Sequence, residues 1–235
     1  MVKINSKYIE RKIVMYFFSP ILTLVSFLFG LYLIRKYLIV DPSVIVIYLF
    51  IFFYFSFKVF VKSVKGFRNY RSGLRGENEV SRRLLTELPS NYKLLSNIVV
   101  DQYGDIDLVV IGPTGISAIE IKNYLGRFRN LSGKIYKKNN QFDEKILKKI
   151  KIKALKINKI LSANLKKNYW VKATVVLSSV HGVYSDDLFR GIERDNVLVV
   201  QAKYLAKILQ EQKGKLSPEE VGAIYKTIKR CRNVE

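Results

Sequence analysis

The sequence predicts an α/β domain preceded by two membrane-spanning helices. Three observations predict it: two long uncharged apolar runs near the N-terminus, a pair of apolar strand-like segments joined by Gly-Pro-Thr-Gly, and amphipathic helical patterns around further apolar strands. The 235 residues allow one domain of ordinary size plus a smaller element. Apolar residues make up 49% and charged residues 26%, but unevenly: most of 13–61 is apolar, and most of the charge follows residue 62.

Ile13 to Ile34 carries no charge and, as a helix, spans roughly 33 Å, enough for a hydrocarbon core of about 30 Å. Ser43 to Phe57 is also uncharged and extends to Val61, with Lys58 placed to snorkel to the interface. The expected spans are therefore about 13–34 and 43–61. Pro20 is expected to kink the first. The alternatives are a signal peptide, which the length of the first run and the second run after it disfavour, and a buried helical hairpin. Lys3, Lys7, Arg11 and Lys12 precede the first span. Lys58, Lys62, Lys65, Arg68, Arg71 and Arg75 end or follow the second, while the connection holds only Arg35 and Lys36. This bias places both termini on the cytoplasmic side of a cell membrane. Residues 1–61 thus read as a multi-pass anchor and 62–75 as a basic juxtamembrane linker that contacts lipid. In a bacterial cell the remaining residues would lie on the side that holds DNA and RNA.

The net charge is +22 and the pI about 9.9. Such a charge points to polyanionic partners, either nucleic acid or anionic lipid head groups. The single cysteine, Cys231, excludes an intramolecular disulfide. The chain has no Cys/His zinc spacing, no P-loop and no G-x-S-x-G. His181, the one histidine, reads as a loop residue, and Asp186 and Asp187 as loop charges beside it.

Glu77 to Leu88 reads as a helix with Val80, Leu84 and Leu88 on one face. Glu77 stands three residues before Val80 and shares that face. A carboxylate there is either functional or placed to favour the helix dipole. Next come two strands, Asp107 to Ile111 and Ile116 to Lys122, around the turn Gly112-Pro113-Thr114-Gly115. Pairing Ile111 with Ile116 sets Val109 opposite Ala118 and Asp107 opposite Glu120, with Lys122 one pleat further on the same face. Two opposed carboxylates destabilise a sheet. A bound divalent cation reverses the sign of that interaction. The strands are otherwise apolar on both faces, as in a buried sheet.

Phe142 to Leu165 repeats Phe142, Ile146, Ile150, Ala154, Ile157, Leu161 and Leu165 at helical spacing. Between Lys134 and Lys167 stand twelve lysines and two acids. A bias of that size favours contact with a phosphate backbone, and Lys134, Lys137, Lys138, Lys145, Lys148 and Lys149 are its candidates. Val171 to Leu177 and Val197 to Val200 read as buried strands and Lys203 to Lys213 as a helix. Ser217-Pro218-Glu219-Glu220 is a capping box opening a last helix to about Cys231. Trp170 reads as a core residue.

Gly76-Glu77 with Val80 and Leu84, followed by GDIDLVVIGPTGISAIEIKNYLG from Gly104 to Gly126, resembles the nuclease-related domain (NERD) family. The similarity continues more weakly through Asn139-Asn140-Gln141 and the strand ending VVLSS, to cover residues 72 to about 210. The proposed domain is 76–210, with 211–235 as a C-terminal helix. The family is similar to the PD-(D/E)xK nucleases, which implies a restriction-endonuclease-like mixed sheet flanked by helices. The resemblance also implies roles: Glu77 as the helix acid, Asp107 as the metal-binding aspartate, Glu120 and Lys122 as the E-x-K pair, and Gln141 as a polar family position. Leu108 stands where the family often has histidine, and Asn139-Asn140 where Asn-Pro is common.

The expected activity is phosphodiester hydrolysis, with DNA the favoured substrate. Asp107, Glu120 and the Ile121 carbonyl would hold Mg²⁺ or Mn²⁺, and Glu77 a second metal or a water. Lys122 would orient the attacking water or stabilise the transition state. Two other readings use the same residues. One is a non-catalytic, membrane-tethered nucleic-acid-binding module. The other is a membrane-surface scaffold whose lysines bind anionic lipid.

Overall fold

A computed structural model describes residues 18, 21–32, 35–36, 42–100, 104–123, 128–131, 134–137, 140–141, 143–178 and 191–231. Lys138, His181, Asp186 and Asp187 lie outside the described residues. The chain forms two compact units, divided between Ser72 and Gly73.

The N-terminal unit holds helix α1, Ile21–Tyr32, and the first part of helix α2, Pro42–Glu87. Their aromatic side chains meet: the Phe27 and Phe52 rings stack with centroids 3.9 Å apart. α2 contains an apolar stretch long enough to cross a membrane, and its large apolar side chains are exposed, Phe50 at 76%. α1 is shorter than a span by itself, and the expected first span, 13–34, reaches beyond the described residues. The segment expected as a linker, 62–75, is instead helical within α2. It has no proline, and its five Lys and Arg residues and Leu74 are good helix formers. Gly66 and Gly73 weaken such a helix by only about 1 kcal/mol each.

The second unit is built on a six-stranded mixed sheet. Its strands are β1 (Lys93–Val99), β2 (Asp105–Gly112), β3 (Gly115–Lys122), β7 (Val171–Leu177), β8 (Ile192–Arg194) and β9 (Val197–Gln201), in the order β1-β2-β3-β7-β9-β8. β1, β2 and β3 are antiparallel, while β3, β7 and β9 are parallel. Between β3 and β7 lie a small sheet of β4 (Phe128–Leu131), β5 (Lys134–Lys137) and β6 (Asn140–Gln141), and helix α3, Glu144–Leu165. Helices α4 (Ala202–Gln210) and α5 (Pro218–Cys231) complete the unit.

Alternation along the strands divides the core into two layers. Val109, Ile111, Ile116, Ala118, Ala173, Val175 and Val199 face α3 and α5, which bury Ile150, Ala154, Ile157 and Leu161, and Val221, Ile224 and Ile228. Leu108, Val110, Ile119, Ile121, Val176 and Val200 face the end of α2, through Val80, Leu84 and Leu88, and α4, through Leu205 and Leu209. The arrangement of a helix, an antiparallel hairpin, a crossing helix and a mixed sheet is the one the resemblance implies. The C-terminal helix packs into this same core. Its capping box forms as the sequence predicts: the Glu220 amide donates to Ser217 Oγ, and the Ser217 amide donates to Glu220 Oε2 at 2.9 Å.

Trp170 departs from expectation. It stands just before β7 and is 70% exposed, while Tyr169 takes the buried position.

Candidate active site

The β2–β3 hairpin has the register read from its turn, Ile111 opposite Ile116 and Val109 opposite Ala118, but ladder pairing stops at Leu108–Ile119. Asp107 is also skipped on its other side, between Ser96–Leu108 and Ile98–Ile106. Its would-be partner there, Asn97, has φ +53°, in the left-handed region. The Ile121 amide donates to Asp107 Oδ2 at 2.6 Å. A side-chain carboxylate thus accepts the hydrogen bond that a regular ladder would give to a carbonyl. The strand opens at Asp107 for this reason, and its carboxyl group is held against β3.

Glu120 lies between two ammonium groups. Lys122 Nζ donates to Oε1 at 2.6 Å, and Lys153 Nζ donates to Oε2 at 2.8 Å. Lys153 belongs to α3 and is buried; it also donates to the Asp105 carbonyl at 2.6 Å. Residue type alone gives no signal for it, one lysine among the seven of α3, and the sequence reading does not single it out. Its position does give one: Lys153 falls three residues after Ile150 and four before Ile157, on the buried stripe.

Glu77 sits thirty-five residues into α2, far from the helix N-terminus, so the helix-dipole explanation for it falls. Gly76 explains how α2 comes so near. A Cβ at that position would lie 2.8 Å from the Asn123 Cβ and would collide with Ser178 Oγ, so only glycine lets the helix meet the ends of β3 and β7.

These groups perturb one another. Burial, then the Glu120 and Glu77 carboxylates, push Asp107 up to about 7, against opposing contributions from the Ile121 amide and Lys122. Burial likewise raises Glu77; Lys122 opposes this, and Asp105 and Glu120 add to it. Burial would raise Glu120 too, but Lys122 and Lys153 outweigh it and hold that carboxyl below its ordinary value. Near neutral pH the site therefore pairs an ionised Glu120 with an Asp107 poised between its two forms.

The chemistry of this donor set suits a hard divalent cation. Asp107, Glu120 and the Ile121 carbonyl offer oxygen donors, and a cation would offset the mutual repulsion that raises Asp107. Both Glu120 oxygens accept from lysines, so one must exchange for a cation to bind. Among the described residues, no three Asp, Glu, His or Cys side chains are gathered closely enough to hold a metal by themselves. Of the proposed phosphate contacts, Lys145, Lys148 and Lys149 are exposed on α3, Lys134 and Lys137 lie on β5, and Gln141 lies on β6.

Residues 72–178 match the family model described as the nuclease-related domain, NERD. Among solved structures, the chain is similar to the small subunit of the heterodimeric restriction endonuclease R.BspD6I. Identity is 15%, coverage 69% of this chain and 89% of that chain, and the TM-score 0.23. A superposition that loose transfers no residue roles. A comparison with curated proteins gives no significant match. The matched segment runs from just before Gly76 to Ser178 and contains Glu77, Asp107, Glu120, Lys122 and Lys153. Residues 72–178 of this chain are a nuclease-related domain.

Proposed function

We propose that the chain is a membrane-tethered, divalent-metal-dependent nuclease that hydrolyses phosphodiester bonds, with DNA the favoured substrate. The observation that carries this reading is the meeting of Asp107, Glu120 and Lys122 at a break in the sheet, within the nuclease-related domain, with the two carboxyls pushed apart in pKa.

Asp107, Glu120 and the Ile121 carbonyl would hold Mg²⁺ or Mn²⁺. When bound, the ion supplies charge at a phosphoryl oxygen and acidifies a water. Lys122 orients the attacking water or faces the charge that develops on phosphorus. Lys153 keeps Glu120 ionised and fixes its rotamer. Glu77 holds a water or a second ion. The exposed Lys145, Lys148 and Lys149, with Lys134, Lys137 and Lys138, track the backbone without reading bases. The apolar stretch of α2 and the Lys/Arg bias favour anchoring in a cell membrane with the domain at the cytoplasmic face.

The test uses the full chain purified in detergent, with linear and circular DNA and with RNA, in Mg²⁺, Mn²⁺ or EDTA. Glu120→Gln is a better control than alanine, since it keeps a partner for Lys153. Metal-dependent cleavage lost in the control supports the enzyme and names its substrate. Cleavage that persists in the control removes the assignment. A second reading, a non-catalytic nucleic-acid-binding module, is favoured by the double lysine clamp on Glu120. Binding without cleavage in either metal would establish it.

A further inference from the structure

We infer that a groove beside Trp170 takes an unpaired base of a nucleic-acid strand; the inference rests on the nuclease reading and adds single-stranded character to its substrate. The groove has a volume of about 420 Å³ and lies between α3 and the entry to β7, away from the carboxylates. Lys151, Leu155, Asn158, Asn168, Trp170 and Asn196 line it. Trp170 is 70% exposed and Leu155 is 49% exposed, an apolar pair that nothing covers among the described residues.

The polar lining is held in place. Asn158 Nδ2 donates to Asn168 Oδ1 at 2.9 Å and also to the Tyr169 carbonyl. Among the described residues this leaves an acceptor on Asn158 and an NH₂ group on Asn168, the two kinds of partner that a base edge needs. Asn196 sits in the tight β8–β9 turn, where Asp195 and Asn196 both have positive φ. Lys148, Lys151, Leu155 and Lys159 recur at three- and four-residue intervals along α3, so ammonium groups border the groove.

An indole face with lysines along a helix is the chemistry that holds single strands, by stacking on the ring and by charge along the backbone. A bilayer surface is the competing occupant for exposed Trp, Leu and Lys. It fits less well, because the amides lining this hollow would have to leave water without partners. A paired base does not fit either, since its face is already stacked. Val175 pairs with Glu120 across the sheet, and Trp170 precedes it by five residues, about 16 Å along the strand.

Trp170 is the only tryptophan of the chain, so its emission reports on this groove alone. The experiment titrates the full chain in detergent, with EDTA, against dT15, rU15 and a duplex of equal length. Anisotropy of labelled strands measures binding independently. Bound single strands are expected to quench the emission, and the duplex to leave it unchanged. Trp170→Ala should weaken single-strand binding about tenfold, with duplex binding unaffected and Trp170→Phe largely restoring it. Single strands that bind without quenching, or bind Trp170→Ala equally well, overturn the inference. So does a blue shift on moving the chain from phosphatidylcholine to phosphatidylglycerol nanodiscs with no response to strands, which assigns the groove to lipid. Neither metal nor turnover enters these readings, so the inference can fail while cleavage stands, and cleavage can fail while the quench stands.

Discussion

Lys153 Nζ lies 2.8 Å from Glu120 Oε2, so α3 is bonded directly to the E-x-K strand through a buried lysine. Replacing it by methionine keeps the volume but leaves the Asp105 carbonyl without its donor and Glu120 with one partner. We expect Lys153→Met to lower stability by about 2 kcal/mol. If Glu120 is a metal ligand, as proposed, cleavage should fall about 10–100-fold, the usual effect of removing a group that orients such a ligand. Denaturant unfolding and cleavage rates check this. Full activity in a folded Lys153→Met chain would remove Lys153 from the site.

Asp107 gives stability a specific pH dependence. Its folded value, about 7, lies above the ordinary 3.8, so the folded state binds the extra proton between those values. Stability from this group is therefore complete below about pH 4 and is lost as pH rises through about 7. Asp107→Asn should flatten that loss, and the variant should be the more stable chain at pH 8. Mg²⁺ should raise the unfolding midpoint of the native chain most above pH 7, where Asp107 is ionised, and should leave Asp107→Asn almost unmoved. Thermal unfolding from pH 5 to 8.5 with and without Mg²⁺ measures both effects. An Asn variant that follows the native profile would contradict the assignment.

Gly76 sets how closely α2 approaches the sheet. Gly76→Ala pushes a methyl group into Ser178 Oγ and the Asn123 Cβ, an overpacking that costs about 1–3 kcal/mol and displaces Glu77. Adding Ser178→Ala removes one of the two obstacles and should recover part of the stability. Unfolding of the single and double variants decides it: no loss in Gly76→Ala would show that the helix can shift freely.

Much of this site is legible in the sequence because strands obey a period of two. Once Gly112 to Gly115 is read as the turn, Asp107, Glu120 and Lys122 must share a face, and the observed register agrees as far as Leu108–Ile119. What stays hidden depends on contacts distant in sequence. Neither the lapse of pairing at Asp107, where the carboxylate accepts from the Ile121 amide, nor the left-handed Asn97 opposite it can be had from alternation. Lys153 is one of many lysines until the helix is laid on the sheet. Trp170 reads as core because large aromatics usually are, yet the chain turns into β7 one residue later and leaves the ring outside. The continuity of α2 through 62–75 is hidden for another reason: the charge run is read by its sign, which says nothing of backbone shape, and no proline interrupts it.

The most direct test of the nuclease assignment is the rate of Mg²⁺-dependent DNA cleavage by the full chain and by Lys122→Ala, with DNA binding measured on the same preparations. The assignment predicts cleavage by the native chain and none by Lys122→Ala, with binding retained in both. Equal cleavage by the two, or none by the native chain in Mg²⁺ or Mn²⁺, would contradict it.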